Sequence, residues 1–186
     1  MAGGKLGAET YFMASPGFDQ FLPFSDENWK HYYAFTFNTS SRKWTIVEIN
    51  GEGLSRVTDS GELEKSYTHV VMRINGTSVL FGLDQSDNSW FLQPINTGGK
   101  LGIESQHGSW KSPYATLSSY SRGVYTFLFG QDTRPGGSMD MFLNQVDVYN
   151  VANTKTPEMG RVTDTATWIH SYKPVVFYRE CMKETA

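Results

Sequence analysis

The chain has 186 residues, enough for one ordinary domain with a sizeable core. Its formal net charge is −3, only 19% of its residues are charged, and it has no run of Lys or Arg. The electrostatic footprint of a nucleic-acid binder is therefore missing, and an acidic surface disfavours anionic membranes.

Aromatic residues make up 15% of the chain, and there are 18 glycines. That mixture suits short β-strands joined by tight turns. In chain order the first strand-like segments are FDQFLPF (18–24), HYYAFTFN (31–38), KWTIVEIN (43–50) and LSRVTDS (54–60). YTHVVMRI (67–74) then runs into Asn75-Gly76, a favoured hairpin turn, and TSVLFGLD (77–84) follows. After the polar turn QSDN come SWFLQPI (89–95) and, beyond Asn96-Thr97-Gly98-Gly99, the weaker KLGIES (100–105). A third series is YATLSSY (114–120), GVYTFLFGQ (123–131), MDMFLNQVDVY (139–149) and GRVTDT (160–165). No window of 11 or more residues carries the helical period, and the C-terminal YRECMKETA offers one helical turn at most.

Two phrases are written twice. RVTDSGELEKSYTHVV (56–71) matches RVTDTATWIHSYKPVV (161–176) at eight of sixteen positions, and GGKLGAET (3–10) returns as GGKLGIES (98–105). Trp44 and Trp90 also open similar stretches, WTIVEINGEGLSRVTDS and WFLQPINTGGKLGIES. The repeat unit is thus about 45–50 residues, with units at about 4–52, 53–98, 99–158 and an incomplete 159–186 inside one domain. Middle segments such as VLFGL and AFTF are apolar at successive positions, as in sheets packed on both faces. These features predict an all-β, propeller-like array of about four short antiparallel blades, the last one incomplete. The C-terminal YKPVVFY and N-terminal KLGAET could share that thin blade, or its open edge could pair with a second chain to give a homodimer. The alternative fold is a single calycin-type β-barrel around a ligand cavity.

The pattern of inner strand, NGTSVLFGLDQSDNSW and closing strand resembles the short-repeat β-propeller proteins that include several lectins. The resemblance spans most of the chain and implies sugar binding between units. The chain lacks the diagnostic motifs of tachylectin-like, tectonin and fucose-lectin repeats. It also lacks the blade signature and closing disulfide of the hemopexin type.

Residues that could carry chemistry are few. His31, His69, His107 and His170 show no metal-ligand spacing, and Cys181 is the only cysteine, so no metal and no cofactor are expected. No nucleophile elbow and no phosphate loop is present, and no catalytic residue is assigned. Asp84, Asp87 and Asn88 belong to a turn that lacks the Gly and Glu of a Ca²⁺ loop. The copied Arg56/Asp59 and Arg161/Asp164 pairs suit charge-assisted ties between strands. His69 and Arg73 stand four apart on one inner strand, so both face the same way. Trp29, Trp110, Tyr114 and Trp168 lie in or beside polar connecting segments, where a flat ring with polar neighbours suits a sugar face. The ligand-site candidates are therefore Trp29, His69, Arg73, Trp110, Tyr114 and Trp168.

The expected function is non-catalytic carbohydrate binding, with a glycan or other small polar ligand held between repeats. A dimer would make weak sites multivalent. One alternative is a small isomerase or cyclase with an aromatic-lined cavity, using His69, Arg73 or Glu48 for proton transfer. Another is a protein–protein scaffold. A single cysteine, an N-terminus without an apolar h-region and no bilayer-length stretch point to the cytoplasm, with unconventional release left open. The sequons at Asn38 and Asn75 then read as chance.

Overall fold

The computed structural model describes residues 17–26, 30–51, 53–111, 114–122, 125–135, 140–151 and 154–167. Thirteen strands and no helix occur among them. β1 (Gln20–Ser25), β2 (Tyr32–Phe37), β3 (Lys43–Asn50) and β4 (Gly53–Glu62) form sheet A. β5 (Thr68–Ile74), β6 (Thr77–Leu83), β7 (Ser89–Asn96), β8 (Lys100–Leu101) and β9 (Gln106–Ser109) form sheet B. β10 (Thr116–Arg122), β11 (Tyr125–Gln131), β12 (Asp140–Val151) and β13 (Thr154–Thr167) form sheet C. Every pairing is antiparallel between chain neighbours, except that β9 returns to β7. None of the described sheets closes on itself, which removes the calycin-type barrel.

Local chemistry sets the hairpins. Asn75 and Gly76 take φ of 48° and 80°, so the β5–β6 connection is the two-residue turn that their side chains allow. Each second strand is followed at once by an Asx residue that ties down the next turn. Asn38 accepts from the Ser41 amide at 2.6 Å, Asp84 from the Ser86 amide at 2.8 Å, and the buried Asp132 from the Arg134 guanidinium at 2.8 Å.

Two cores hold the sheets together, and sheet B contributes to both. Phe35, Phe37, Trp44 and Ile46 of sheet A meet Leu80, Phe91 and Ile95 of sheet B. On the opposite side of sheet B, Met72, Val79, Phe81 and Trp90 meet Leu128 and Val146 of sheet C. Burial on two faces explains why all seven residues of β6 are buried and why its sequence does not alternate in polarity. Equivalent positions carry equivalent packing. Trp44 stacks on Phe35 and lies over Gly61, while Trp90 stacks on Phe81 and lies over Gly108. A Cβ on Gly61 would stand 2.8 Å from the Trp44 ring, and one on Gly108 2.5 Å from the Trp90 ring.

The inner first strands also repeat. The first strands of neighbouring sheets touch, β1 against β5 and β5 against β10. Ser78 Oγ donates to Ser25 O at 3.0 Å, and Thr126 Oγ1 donates to Arg73 O at 2.8 Å. Ser78 pairs with Arg73 and Thr126 with Ser121, so the two bonds join matching points of successive sheets. The copied RVTD phrase repeats too. Ile46 pairs with Asp59 and Val47 with Val57, leaving Thr58 as an extra residue. Leu143 pairs with Asp164 and Asn144 with Val162, leaving Thr163 extra in the same way. Both copies form the same β-bulge in the last strand of a sheet. Of the segment expected as one weak strand, KLGIES, only Lys100–Leu101 is strand (β8), and β9 begins just beyond it at Gln106. Residues 168–186 of the fourth expected unit, including YKPVVFY and the C-terminal segment, lie outside the described residues, as does KLGAET.

Candidate functional site

β5 presents His69, Val71 and Arg73 toward sheet A and Val70, Met72 and Ile74 toward sheet C, as the strand period dictates. His69 and Arg73 do share a face, but that face is packed. His69 is only 4% exposed and lies among the rings of Phe35, Phe37, Tyr67 and Phe91. Its Nδ1 donates to Gln20 Oε1 at 3.0 Å, which fixes the tautomer because that oxygen only accepts. The remaining Nε2 is buried with no hydrogen-bond partner. Burial pushes the imidazole down to about 3, so it stays neutral. Gln20 also bonds the Tyr67 carbonyl and the His69 amide, imitating a strand against the edge of sheet B.

Arg73 holds the other end of the same inner strand. Its Nη1 donates to Ser25 Oγ at 2.8 Å and to the Asp26 carbonyl at 2.6 Å. His69 and Arg73 thus anchor β1 to β5 at two heights. Trp110 and Tyr114 are half-buried: Trp110 packs on Phe81 and Trp90, and Tyr114 meets Trp110 edge-on. They close the outer end of the core between sheets B and C. Trp29 and Trp168 lie outside the described residues.

An open depression of about 220 Å³ lies at the edge of sheet A. Pro23, Phe24 and Ser25 of β1, Tyr32 of β2 and Ile49 of β3 line it. Tyr32 leaves 49% of its surface to solvent. Ser25 and Tyr32 are paired neighbours, and in the chain they flank the 26–31 loop. Asp26 organises the loop: its amide donates to the His31 carbonyl at 2.9 Å, and its carboxylate accepts from the Lys30 amide at 2.8 Å. Trp29 belongs to this loop in sequence. Glu48 bridges His31 at 3.5 Å and Arg56 at 2.7 Å.

No family model, no curated protein and no solved structure matches the chain.

The positions that match Tyr32 are Ser78 and Thr126, and both are buried against the preceding sheet. Tyr32 was absent from the sequence-based candidates because HYYAFTFN reads as a buried strand throughout. Only its place as the first residue after a polar loop marked it. Among the described residues no three His, Cys, Asp or Glu side chains gather as metal ligands, and no helix is long and apolar enough to cross a membrane.

Proposed function

We propose that the three sheets are blades of a propeller-type array and that the protein is a non-catalytic, lectin-like binder of glycans. The observation that carries this reading is the open depression lined by Pro23, Phe24, Ser25, Tyr32 and Ile49, with the Tyr32 ring half exposed. The C–H face of a pyranose stacks on an exposed phenol ring, while its hydroxyls take hydrogen bonds from a polar rim. A shallow site of this kind gives weak single-site affinity. Two copies joined in a homodimer would raise the apparent affinity without a new contact.

His69 supports binding less than its sequence suggested, since a 4% exposed ring in an aromatic box has no path to a ligand. Arg73 likewise spends its Nη1 on Ser25 and Asp26. The same burial weakens the isomerase or cyclase reading, which needs these groups open to substrate.

A glycan array followed by titration calorimetry tests the proposal. The wild-type chain binds at least one glycan class, and Tyr32→Ala weakens that binding at least ~10-fold, about 1.4 kcal/mol. Because Tyr32 is half exposed, the variant keeps the wild-type melting temperature to within a few degrees. No glycan bound by the wild type, or unchanged binding by Tyr32→Ala, would sink the assignment.

A further inference from the structure

One buried ring of sheet A keeps an unpaired polar tip. Tyr33 is only 4% exposed and stacks on Phe24 with ring centres 5.5 Å apart. The Gly98–Gly99 turn lies against the ring, where a Cβ on Gly99 would stand 2.7 Å from it. The Tyr33 hydroxyl has no hydrogen-bond partner among the described residues. The charges of Glu48, Asp26 and Arg56 act on it. Burial, with the two carboxylates, pushes it above the ordinary tyrosine value, so at neutral pH it keeps a proton to donate.

Glu48 organises the groups around this hydroxyl. It pairs with Tyr33 across β2 and β3, so both side chains leave the same face of the sheet. One carboxylate oxygen accepts from Arg56 Nε at 2.7 Å, and the other lies 3.5 Å from His31 Nδ1. The Glu48 side chain is largely buried, whereas that of Arg56 is 73% exposed. Holding Arg56 by Nε alone leaves its two terminal nitrogens, a planar fork of N–H donors, without a partner among the described residues. The charges at the cluster balance. Glu48 and Asp26 stand against Arg56 and Arg73, and Arg73 donates to the Asp26 carbonyl at 2.6 Å. A ligand is therefore recognised here by directed donors and not by a net field. The planar fork matches the two oxygens of a carboxylate, and the Tyr33 hydroxyl adds a third donor.

This cluster adjoins the depression. Phe24 lines the depression and stacks on Tyr33, and two more lining residues, Tyr32 and Ile49, are the chain neighbours of His31 and Glu48. We propose that Arg56 and Tyr33 form an acid subsite that takes the carboxylate of an acidic sugar while Tyr32 stacks on a sugar ring. The Arg56 fork holds both carboxylate oxygens, the Tyr33 hydroxyl donates to one of them, and Glu48 fixes Arg56 in place. The subsite rests on the glycan reading of the depression and narrows it to sugar acids.

A glycan array carrying uronic-acid and sialic-acid glycans, each beside its carboxyl-reduced counterpart, tests this, with titration calorimetry of the tightest pair. The wild-type chain prefers the acidic member at least ~10-fold. Arg56→Gln brings the two members to equal affinity. Tyr33→Phe, which keeps the ring on Phe24, lowers the preference about 3-fold or more. Arg42→Gln removes an exposed cation from the turn at the opposite end of β2 and leaves the preference unchanged. Equal wild-type affinity for both members overturns the subsite, and the depression then stands as a neutral-sugar site if Tyr32→Ala still weakens binding. A preference that survives Arg56→Gln, or that Arg42→Gln abolishes equally, also overturns it. A wild-type chain that binds no glycan removes the reading of the depression and the subsite with it.

Discussion

His69 shows how one side chain changes meaning with its surroundings. In the sequence it is a polar group on an inner strand; in the fold its neutral form is built into an aromatic box. The unfolded chain protonates this imidazole near 6.5, whereas the fold holds its pKa at about 3. Stability is therefore complete above pH 6.5 and falls as pH drops through that window, because only the unfolded state gains the proton. At pH 4 the loss amounts to ~3 kcal/mol. Urea unfolding at pH 7 and pH 4 measures it, and His69→Phe should lose most of the difference even if its stability at pH 7 also changes. An equal acid loss in that variant would place the proton elsewhere. The sequence made the shared direction of His69 and Arg73 legible through the period of two. It could not say that sheet A would fill the space they face, since that depends on Gln20, Phe35 and Phe37, which lie 32 to 49 residues away in the chain. Tyr32 was hidden for the converse reason: its exposure is set by what fails to pack beside it.

At the scale of strands and sheets, nearly every segment was legible, because each hairpin carries its own turn chemistry. Asn75-Gly76, Asp84 and Gly98-Gly99 all sit where a turn needs them. The shortness of β8 and the strand β9 after KLGIES were not legible, since QHGS has no apolar alternation and pairs with β7 where Gly108 makes room for Trp90. The length of β13 was hidden as well. Its first half contains Pro157, which a strand accepts at a sheet's last position, where β13 stands. The Trp-over-Gly pairs yield a prediction. Gly61→Val and Gly108→Val each push a branched side chain into the indole opposite, and each should cost about 1–3 kcal/mol, the usual range for overpacking. Chemical denaturation reads the cost. Two variants that leave stability untouched would mean the rings swing aside and that the pairs are not close-packed.

Over the whole molecule, sheet B is the shared partner, and neither core contains residues of both A and C. Such an array can unfold in pieces or as one, depending on how strongly each interface couples its sheets. Here the coupling runs through β6, whose Leu80 faces sheet A while Val79 and Phe81 on either side of it face sheet C. Loosening either face of β6 loosens the backbone that presents the other, so the three sheets should melt in a single transition. Phe35→Ala, in sheet A, removes a fully buried ring and should cost ~3–5 kcal/mol; Leu128→Ala, in sheet C, should cost ~2–5 kcal/mol. The two sites belong to different cores and share no partner, so their costs should add in the double variant to within about 0.5 kcal/mol. Calorimetry of each variant should show one lowered peak whose van't Hoff and calorimetric enthalpies agree. Two peaks in either single variant, one moved and one left at the wild-type temperature, would show that sheet B does not transmit the loss and that the sheets are independent modules on one chain.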